Sequence, residues 1–294
     1  MQDVAWADRG RQLQINAGTP APEDLCVGLS RLGGAAVPAS LPSVFIQLRG
    51  SAWVESREGR FELRQGDWIM FERDSAPLVQ AGSHGLCIGL LPGAAALASL
   101  EALADRVLYP GRGRLGRADA RTALRLWRAA AAGGAAHALR PLLLHLAEIQ
   151  RDLARRIVDC PGRSRSHKRQ VFGRMQRARL YLEGNSNRVV RIEELARLAN
   201  FSSWYFSKAF HGLYGESPQA LAARLRLERA ASLLQTTSMM VGEVAAASGF
   251  DNSCSFARAF RARYGVTATR YRQRRTGSAK PAGGAGKARG GFNS

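Results

Sequence analysis

A pattern written twice near the C-terminus constrains the fold of this chain more than any other feature. The two copies span residues 192–218 and 241–267. Each copy begins with a short segment that mixes apolar and acidic residues, continues through a polar turn, and ends with a longer segment that carries two phenylalanines four residues apart. A short helix, a tight turn and a second helix make a helix-turn-helix motif, so the sequence predicts two such motifs.

The second helix of each copy is expected to have an apolar face and a polar face. Residues three and four apart lie on the same side of a helix, so the spacing separates inward residues from outward ones. The inward residues are Phe206, Ala209, Phe210 and Leu213 in the first copy and Phe256, Ala259 and Phe260 in the second. The outward residues are Trp204, Ser207, Lys208 and His211 in the first copy and Ser253, Cys254, Ala257, Arg258 and Arg261 in the second.

Basic charge is concentrated in the half of the chain that contains both copies. Residues 1–166 carry 21 basic and 16 acidic side chains, whereas residues 167–294 carry 22 basic and 7 acidic ones. Such an excess is typical of a surface that binds phosphates, although an arginine-rich proteome would also raise it. Because helix-turn-helix motifs place a helix in the major groove, DNA reading is the leading hypothesis.

Twelve residues are candidates for DNA contact. Ser202 and either Asp251 or Asn252 are natural N-caps, and the free amides at a helix start attract a phosphate. Lys208 and Arg258 are the candidates for guanine edges or nearby phosphates, and the planar fork of arginine suits guanine O6 and N7 best. The full set is Ser202, Ser203, Trp204, Ser207, Lys208, His211, Asn252, Ser253, Cys254, Ala257, Arg258 and Arg261.

The segment between the two copies predicts a long helix. Ser217-Pro218 is a helix start, and leucines and alanines then recur at helical spacing as far as Leu234. About 18 residues would give a rod of about 27 Å. Such a rod could hold two recognition helices about 34 Å apart, which is one turn of duplex.

The stretch from about Val171 to Arg272 resembles the AraC/XylS-type transcription regulators. The resemblance rests on the segments Arg177–Leu182, Glu194–Ala196, Phe206–Phe210, Gly215–Pro218, Arg224-Leu225 with Ala230, Gly249–Asn252, Phe256, Arg258, Phe260, Tyr264-Gly265 and Tyr271-Arg272. It implies DNA contact at the matching outward positions, which are Trp204, Ser207, Lys208, Ser253, Cys254 and Arg258. One departure is Ala268, where the family usually has proline, and this should loosen a turn without removing groove contacts.

The N-terminal half contains short β-like segments within residues 43–92, separated by glycine-containing turns. They are Val44–Leu48, Ala52–Glu55, Arg60–Leu63, Trp68–Phe71, Leu78–Gln80 and Leu86–Leu90. Many short strands at this spacing favour a small barrel or sandwich. Residues 59–68 resemble a cupin hairpin, and the family resemblance implies a cupin-like effector domain followed by helices used for dimerisation. An apolar stripe near residues 139–157 could equally pack inside the chain or form a dimer seam.

Together these patterns predict an α+β protein. An N-terminal cupin-like β-barrel with following helices precedes an all-α domain, in which a long helix joins two helix-turn-helix motifs. The expected segments are 1–94 for the β-rich effector domain, 95–158 for a helical dimerisation or linker region, 159–168 for a linker, 169–273 for the DNA-binding domain and 274–294 for a disordered basic tail.

Phe45, Trp53, Trp68 and His84 are the candidates for an effector pocket, although core packing explains the aromatic residues equally well. A catalytic metal cupin needs two or three histidines and a carboxylate, and the β region contains only His84. We therefore expect no metal, no cofactor and no catalytic residue. The N-terminus lacks a basic leader with an apolar core, and no apolar stretch is long enough for a bilayer, so we expect a cytoplasmic, nucleoid-associated protein with no membrane partner.

These expectations predict a sequence-specific bacterial transcription regulator that acts as an activator. Its expected partners are double-stranded promoter DNA, a small-molecule effector and RNA polymerase, and a homodimer is one assembly it could form. Two alternatives stay open. One is a DNA-binding module fused to a catalytic or thiol-based sensor domain, with Cys26, Cys87 or Cys160 as the nucleophile. The other is an architectural or RNA-binding protein that contacts only the nucleic-acid backbone.

Overall fold

The computed structural model describes residues 4–15, 24–133 and 136–277. The chain divides into two compact units, called here the first unit (Met1–Asn185 and Val189–Ala222) and the second unit (Ser186–Arg188 and Ala223–Ser294). Most of the tail expected to be disordered, residues 278–294, lies outside the described residues. Within the described ranges, no helix is both long and apolar enough to cross a bilayer.

Two sheets form the β part of the first unit. Their described strands are β1 (Ala5–Ala7), β2 (Gln12–Gln14), β3 (Leu25–Ser30), β4 (Gly34–Ala36), β5 (Ser43–Arg49), β6 (Ser51–Ser56), β7 (Gly59–Arg64), β8 (Asp67–Phe71), β9 (Leu78–Ala81), β10 (Leu86–Leu91) and β11 (Gly111–Arg114). One sheet has the order β1-β3-β10-β5-β8-β11 and the other has the order β2-β4-β9-β6-β7. They stack as a sandwich and do not close into one barrel. The expected α+β class is confirmed, and the six predicted β-like segments are β5 to β10.

The larger sheet is covered on both faces, which explains the continuous apolar runs in its strands. Along β5, Phe45 packs between the two sheets in a core that includes Phe61 and Phe71. The neighbouring residues Val44 and Ile46 point the other way and pack against helices. This alternation fixes which side chains can reach the interior of the sandwich.

Apart from β11, which lies between α1 and α2, the described strands precede the helices in the chain. The helices are α1 (Ala94–Ala104), α2 (Arg117–Gly133), α3 (Ala136–Ile149), α4 (Arg151–Arg155), a 3-10 turn (Arg156–Asp159), α5 (Arg165–Gly184), α6 (Ile192–Ala199), α7 (Ser203–Tyr214), α8 (Pro218–Thr236), α9 (Val241–Ala247), α10 (Ser253–Tyr264) and α11 (Ala268–Gly277). The long helix predicted between the two copies is α8, with 19 residues.

The apolar stripe of α3 packs inside the first unit. Leu139, Leu143 and Leu146 are buried together with Trp127 and with the outer face of the larger sheet. Of the two packings expected for this stripe, the intramolecular one is therefore confirmed for these three leucines, and they supply no seam for a second copy.

Helix α5 packs against the sandwich. Leu180 is 1% exposed and belongs to the core between the two sheets. The ring of Phe172 lies edge-on to Tyr109, with 4.9 Å between their centroids. At the end of α5 the main chain of Gly184 lies against that of Glu58 and Gly59, where the turn after β6 enters β7. A Cβ on Gly59 would overlap the main chain of Gly184, and a Cβ on Gly184 would overlap the carbonyl of Glu58. The domain boundaries expected from the sequence stay predictions.

Candidate nucleic-acid interface

The first motif consists of α6 and α7 and belongs to the first unit. After α6, Asn200 adopts the left-handed conformation, with φ of 54°, and the amide of Phe201 donates to the carbonyl of Ala196 at 2.9 Å. The next residue, Ser202, caps α7, because its hydroxyl accepts from the amide of Tyr205 at 3.3 Å. The predicted cap is confirmed.

The inner face of α7 is a column of aromatic rings. Phe206 and Phe210 are 0% exposed, and their ring centroids lie 5.5 Å apart. The ring of Tyr214 continues the column at 4.5 Å from Phe210, and its hydroxyl donates to Gln176 Oε1 of α5 at 2.7 Å. Ala209 and Leu213 are buried as well. The predicted inward residues of α7 are therefore confirmed, and α7 is held firmly against α5.

The opposite face of α7 is open to solvent. Trp204 is 70% exposed, and the ammonium of Lys208 lies 5.0 Å from the centroid of its indole ring. This cation–π contact holds the lysine beside the start of the helix. Ser207 donates its hydroxyl proton to the carbonyl of Ser203 at 2.8 Å, and His211 is exposed one turn further along. The predicted outward residues of α7 thus share one side of it.

The second motif, α9 and α10 in the second unit, repeats this construction. The centroids of Phe256 and Phe260 lie 5.4 Å apart, and those of Phe260 and Tyr264 lie 4.5 Å apart. These spacings match the first motif to within 0.1 Å. Helices α7 and α10 both end at a left-handed glycine, Gly215 or Gly265. The repeat seen in the sequence is therefore a repeat in packing.

Between its left-handed residue and its cap, the turn of the second motif is one residue longer than that of the first. Gly249 takes the left-handed position that Asn200 takes in the first motif, with φ of 72°. Asp251 then intervenes before the cap, and Asn252 is the residue whose side chain accepts from the amide of Ser255, at 2.7 Å. Of the two caps that the sequence allowed, the structure selects Asn252.

The outer face of α10 is cationic and solvent-exposed. Its exposed residues include all five that were predicted to point outward, namely Ser253, Cys254, Ala257, Arg258 and Arg261. Among the described residues, the guanidinium groups of Arg258 and Arg261 have no ion pair or hydrogen bond, whereas Arg263 pairs with Glu228 at 2.9 Å. Ala257 offers a methyl group, which suits contact with a thymine methyl.

Two arginines that sequence reasoning missed position the turns. Arg226 of α8 donates to the carbonyl of Gly249 at 3.0 Å, and its guanidinium lies 5.1 Å from the ring of Phe250. Arg174 of α5 lies 5.5 Å from the ring of Phe201 at the equivalent place in the first motif. The signal that could have found them is a basic residue in the helix preceding each motif, paired with a phenylalanine just after the first helix.

The four candidates for an effector pocket lie in different surroundings. Phe45 lies in the core between the sheets, whereas Trp68 lies on the opposite face of the same sheet, beside Ile46. Trp53 is 58% exposed on the other sheet, and His84 is exposed in the loop before β10. The structure does not bring these four side chains together, and a ligand role for any of them stays a prediction.

The three cysteines considered as nucleophiles are buried. Burial raises the pKa of Cys26 to about 11, that of Cys87 to about 12 and that of Cys160 to about 11. Thiols with such pKa values are almost fully protonated near neutral pH, so they are poor nucleophiles. The geometry therefore gives the thiol-based alternative no support.

Comparisons with known proteins agree with the geometry of the two motifs. A family model described as a helix-turn-helix domain matches residues 195–274. The transcriptional activator AarP of Providencia stuartii is 28% identical over 114 residues, which cover 39% of this chain and 84% of AarP. The TetD protein of transposon Tn10 from Escherichia coli is 30% identical over 94 residues, which cover 32% of this chain and 68% of TetD.

A solved structure of an AraC-type transcriptional regulator from Chromobacterium violaceum is 26% identical. The match covers 37% of this chain and 95% of that one, with a TM-score of 0.34. The family model matches α7 to α10 and all of α6 except its first three residues, and the match to TetD covers 68% of that protein. The chain belongs to the AraC/XylS-type family of DNA-binding transcription regulators.

Proposed function

We propose that this protein reads promoter DNA by placing α7 and α10 in the major groove and contacting base edges with their outward side chains. One observation carries the proposal. Each of these helices presents an exposed cation, Lys208 or Arg258, on the face opposite a buried aromatic column. A cation on a rigid helix suits base readout because the backbone that positions it is already ordered before binding.

The two helices differ in the contacts they can offer. Lys208 is a point charge held beside the indole of Trp204, so it suits a guanine acceptor or a phosphate near the helix start. Arg258 carries a planar guanidinium that can bond guanine O6 and N7 together. The capped N-termini after Ser202 and Asn252 add free amides for the phosphate backbone.

The test separates base reading from backbone binding. Sites are selected from random DNA with the full chain, and affinities for the selected site and its single-base variants are measured by fluorescence anisotropy at one salt concentration. Lys208→Ala and Arg258→Ala should each cost about 1–3 kcal/mol on the selected site and relax discrimination at one base pair. Arg121→Ala in α2 and Arg270→Ala in α11 replace exposed cations away from the proposed contacts and serve as matched controls.

A loss of affinity that does not depend on DNA sequence would contradict base reading. If Lys208→Ala and Arg258→Ala weaken binding equally on every sequence, the protein contacts only the phosphate backbone, and the architectural alternative replaces base reading.

We also propose that an effector bound by the first unit changes promoter occupancy, and that the protein activates transcription through RNA polymerase at the bacterial nucleoid in the cytoplasm. The supporting observation is that the first motif shares a compact unit with the sandwich, so that a change in the packing of α5 can reach α7. In vitro transcription from the selected site, with and without the protein, tests activation. Sedimentation of the full chain tests the predicted homodimer.

A further inference from the structure

A cleft of about 480 Å³ opens in the first unit between the segment after α1, the α3–α4 region and the start of α5. Small-molecule sites commonly have volumes of about 300–1,000 Å³. Of the fourteen described residues that line the cleft, seven are arginine or lysine and one, Asp105, is acidic. The other six are apolar or aromatic. The walls are therefore complementary to a molecule that is both anionic and apolar.

Part of this positive charge has no counter-charge. Four of the arginines are paired: Arg165 and Arg169 with Asp105, Arg151 with Glu148, and Arg155 with Asp152. Arg106 and Arg163 have no ion pair or hydrogen bond to any described side chain, and both are exposed. A ligand carboxylate or phosphate could accept hydrogen bonds from these two guanidinium groups.

A buried phenol belongs to the wall of the cleft. Tyr109 lines the cleft and is 3% exposed, and among the described residues its hydroxyl has no hydrogen-bond partner. Gln150 fixes the main chain at this residue, accepting from its amide at 2.8 Å and donating to its carbonyl at 2.9 Å. An unsatisfied buried hydroxyl is costly, which favours a ligand or a rearrangement that would supply an acceptor.

We propose that this cleft binds a small organic anion that has a carboxylate or phosphate head and a short apolar body. None of Phe45, Trp53, Trp68 and His84 lines this cleft, so it is distinct from the effector pocket that the sequence predicted. The apolar wall includes Ile157, which places the body of the ligand against the 3-10 turn.

The same 3-10 turn connects the cleft to the first motif. Arg156 donates from Nη1 to the carbonyl of Leu213 in α7 at 3.0 Å, and its guanidinium lies 5.8 Å from the ring of Tyr214. The next two residues, Ile157 and Val158, line the cleft. A bound anion would therefore restrain the turn that holds the C-terminal end of α7. This regulatory consequence rests on the proposed function, whereas binding itself does not.

The experiment measures binding to the full chain without DNA. The probe is 8-anilinonaphthalene-1-sulfonate, an apolar anion that fluoresces when bound, and the competitors are hexanoate, phenyl phosphate and the neutral hexanol. We expect at least one of the two anions to displace the probe, with the better competitor identifying the preferred head, and hexanol to be much weaker. The double variant Arg106→Gln/Arg163→Gln should bind the probe at least tenfold more weakly, because two charge-assisted hydrogen bonds are lost.

The matched control is Arg121→Gln/Arg128→Gln, which removes the same charge from the exposed side of α2 and should leave probe binding unchanged. Equal displacement by hexanol and hexanoate would overturn the proposal, as would unchanged binding by the cleft variant. Loss of DNA affinity by that variant without any anion would instead assign the cleft to the phosphate backbone and would also overturn it. The base-reading proposal is tested separately with Lys208 and Arg258, so failure of one does not imply failure of the other.

Discussion

Arg177→Met should destabilise the first unit, because it leaves a buried carboxylate without its cation. Glu58 lies in the turn between β6 and β7 and its side chain is 1% exposed. Its Oε1 accepts from Arg177 Nε at 3.1 Å and from the hydroxyl of Ser75 at 2.9 Å. Its Oε2 accepts from the hydroxyl of Ser56 at 3.1 Å. Arg177 belongs to α5, so this pair joins that helix to the sandwich.

The size of the loss follows from the surroundings of the pair. Removing one partner of a buried ion pair generally costs about 3–5 kcal/mol. The side chain of Arg177 is 22% exposed, so water can reach part of the site, and two hydroxyls still donate to the carboxylate. We therefore expect a loss at the lower end, about 3 kcal/mol. Glu58→Gln/Arg177→Met should recover most of it, because the uncompensated charge is gone.

The stability of the first unit can be followed by tryptophan fluorescence. All five tryptophans, Trp6, Trp53, Trp68, Trp127 and Trp204, lie in the first unit. Tryptophan fluorescence during urea unfolding therefore follows this unit and not the second one. The matched control is Arg60→Met in the same hairpin, whose partner Glu55 lies 3.0 Å away in an exposed pair. That variant should lose no more than about 1 kcal/mol.

A small effect would refute this reasoning. If Arg177→Met costs no more than Arg60→Met, the Glu58 pair behaves like a solvated surface pair and burial does not set its energy. The same follows if the double variant is no more stable than Arg177→Met alone, because the remaining charge would then not be the source of the loss.

Three further predictions concern single residues. Ala268→Pro should stabilise the second unit by about 0.4–1 kcal/mol, because Ala268 is the first residue of α11 and proline suits the first position of a helix. The residue before it, Thr267, caps the helix by accepting from the amide of Arg270 at 3.3 Å. Slower amide exchange in α10 would check this stabilisation. Burial raises the pKa of Glu72 above its ordinary 4.5, so the first unit should lose stability as pH rises from that value through the raised pKa. Glu72→Gln should flatten this slope in a pH series of urea melts, and an unchanged slope would contradict the assignment. Cys254 is exposed while the other three cysteines are buried, so Ellman's reagent should modify it first, and equal rates for all four thiols would count against the described burial.

The two motifs could be predicted because their signals are local. The caps at Ser202 and Asn252, the buried pairs of phenylalanines and the start of α8 at Pro218 all follow from residues within a few positions of each other. Helical periodicity shows which side chains share a face even before the partner of that face is known.

The sandwich was only partly predictable because its pairings are non-local. Strands β1, β2 and β4 are three residues long, and β11 has the sequence Gly-Arg-Gly-Arg, so none of them shows an apolar alternation of its own. The register pairs Phe45 with Ile69, so Trp68 points to the opposite face of the sheet. Which face each side chain occupies cannot be deduced from the sequence before the strands are aligned. The basic cleft was missed for the same reason, because residues 159–168 have linker composition and their arginines converge with Arg106 only in three dimensions.

The contact between Gly59 and Gly184 has a consequence for how this protein can change. The φ of Gly59 is 121°, and a Cβ at either position would overlap main-chain atoms of the other segment. The ring of Phe61 closes the same contact, since its Cζ lies 2.6 Å from the position that a Cβ on Gly184 would take. A larger residue at either glycine would therefore push α5 away from the β6–β7 hairpin, whereas substitutions at Leu180 or Arg177 change the packing of α5 without touching this main-chain contact.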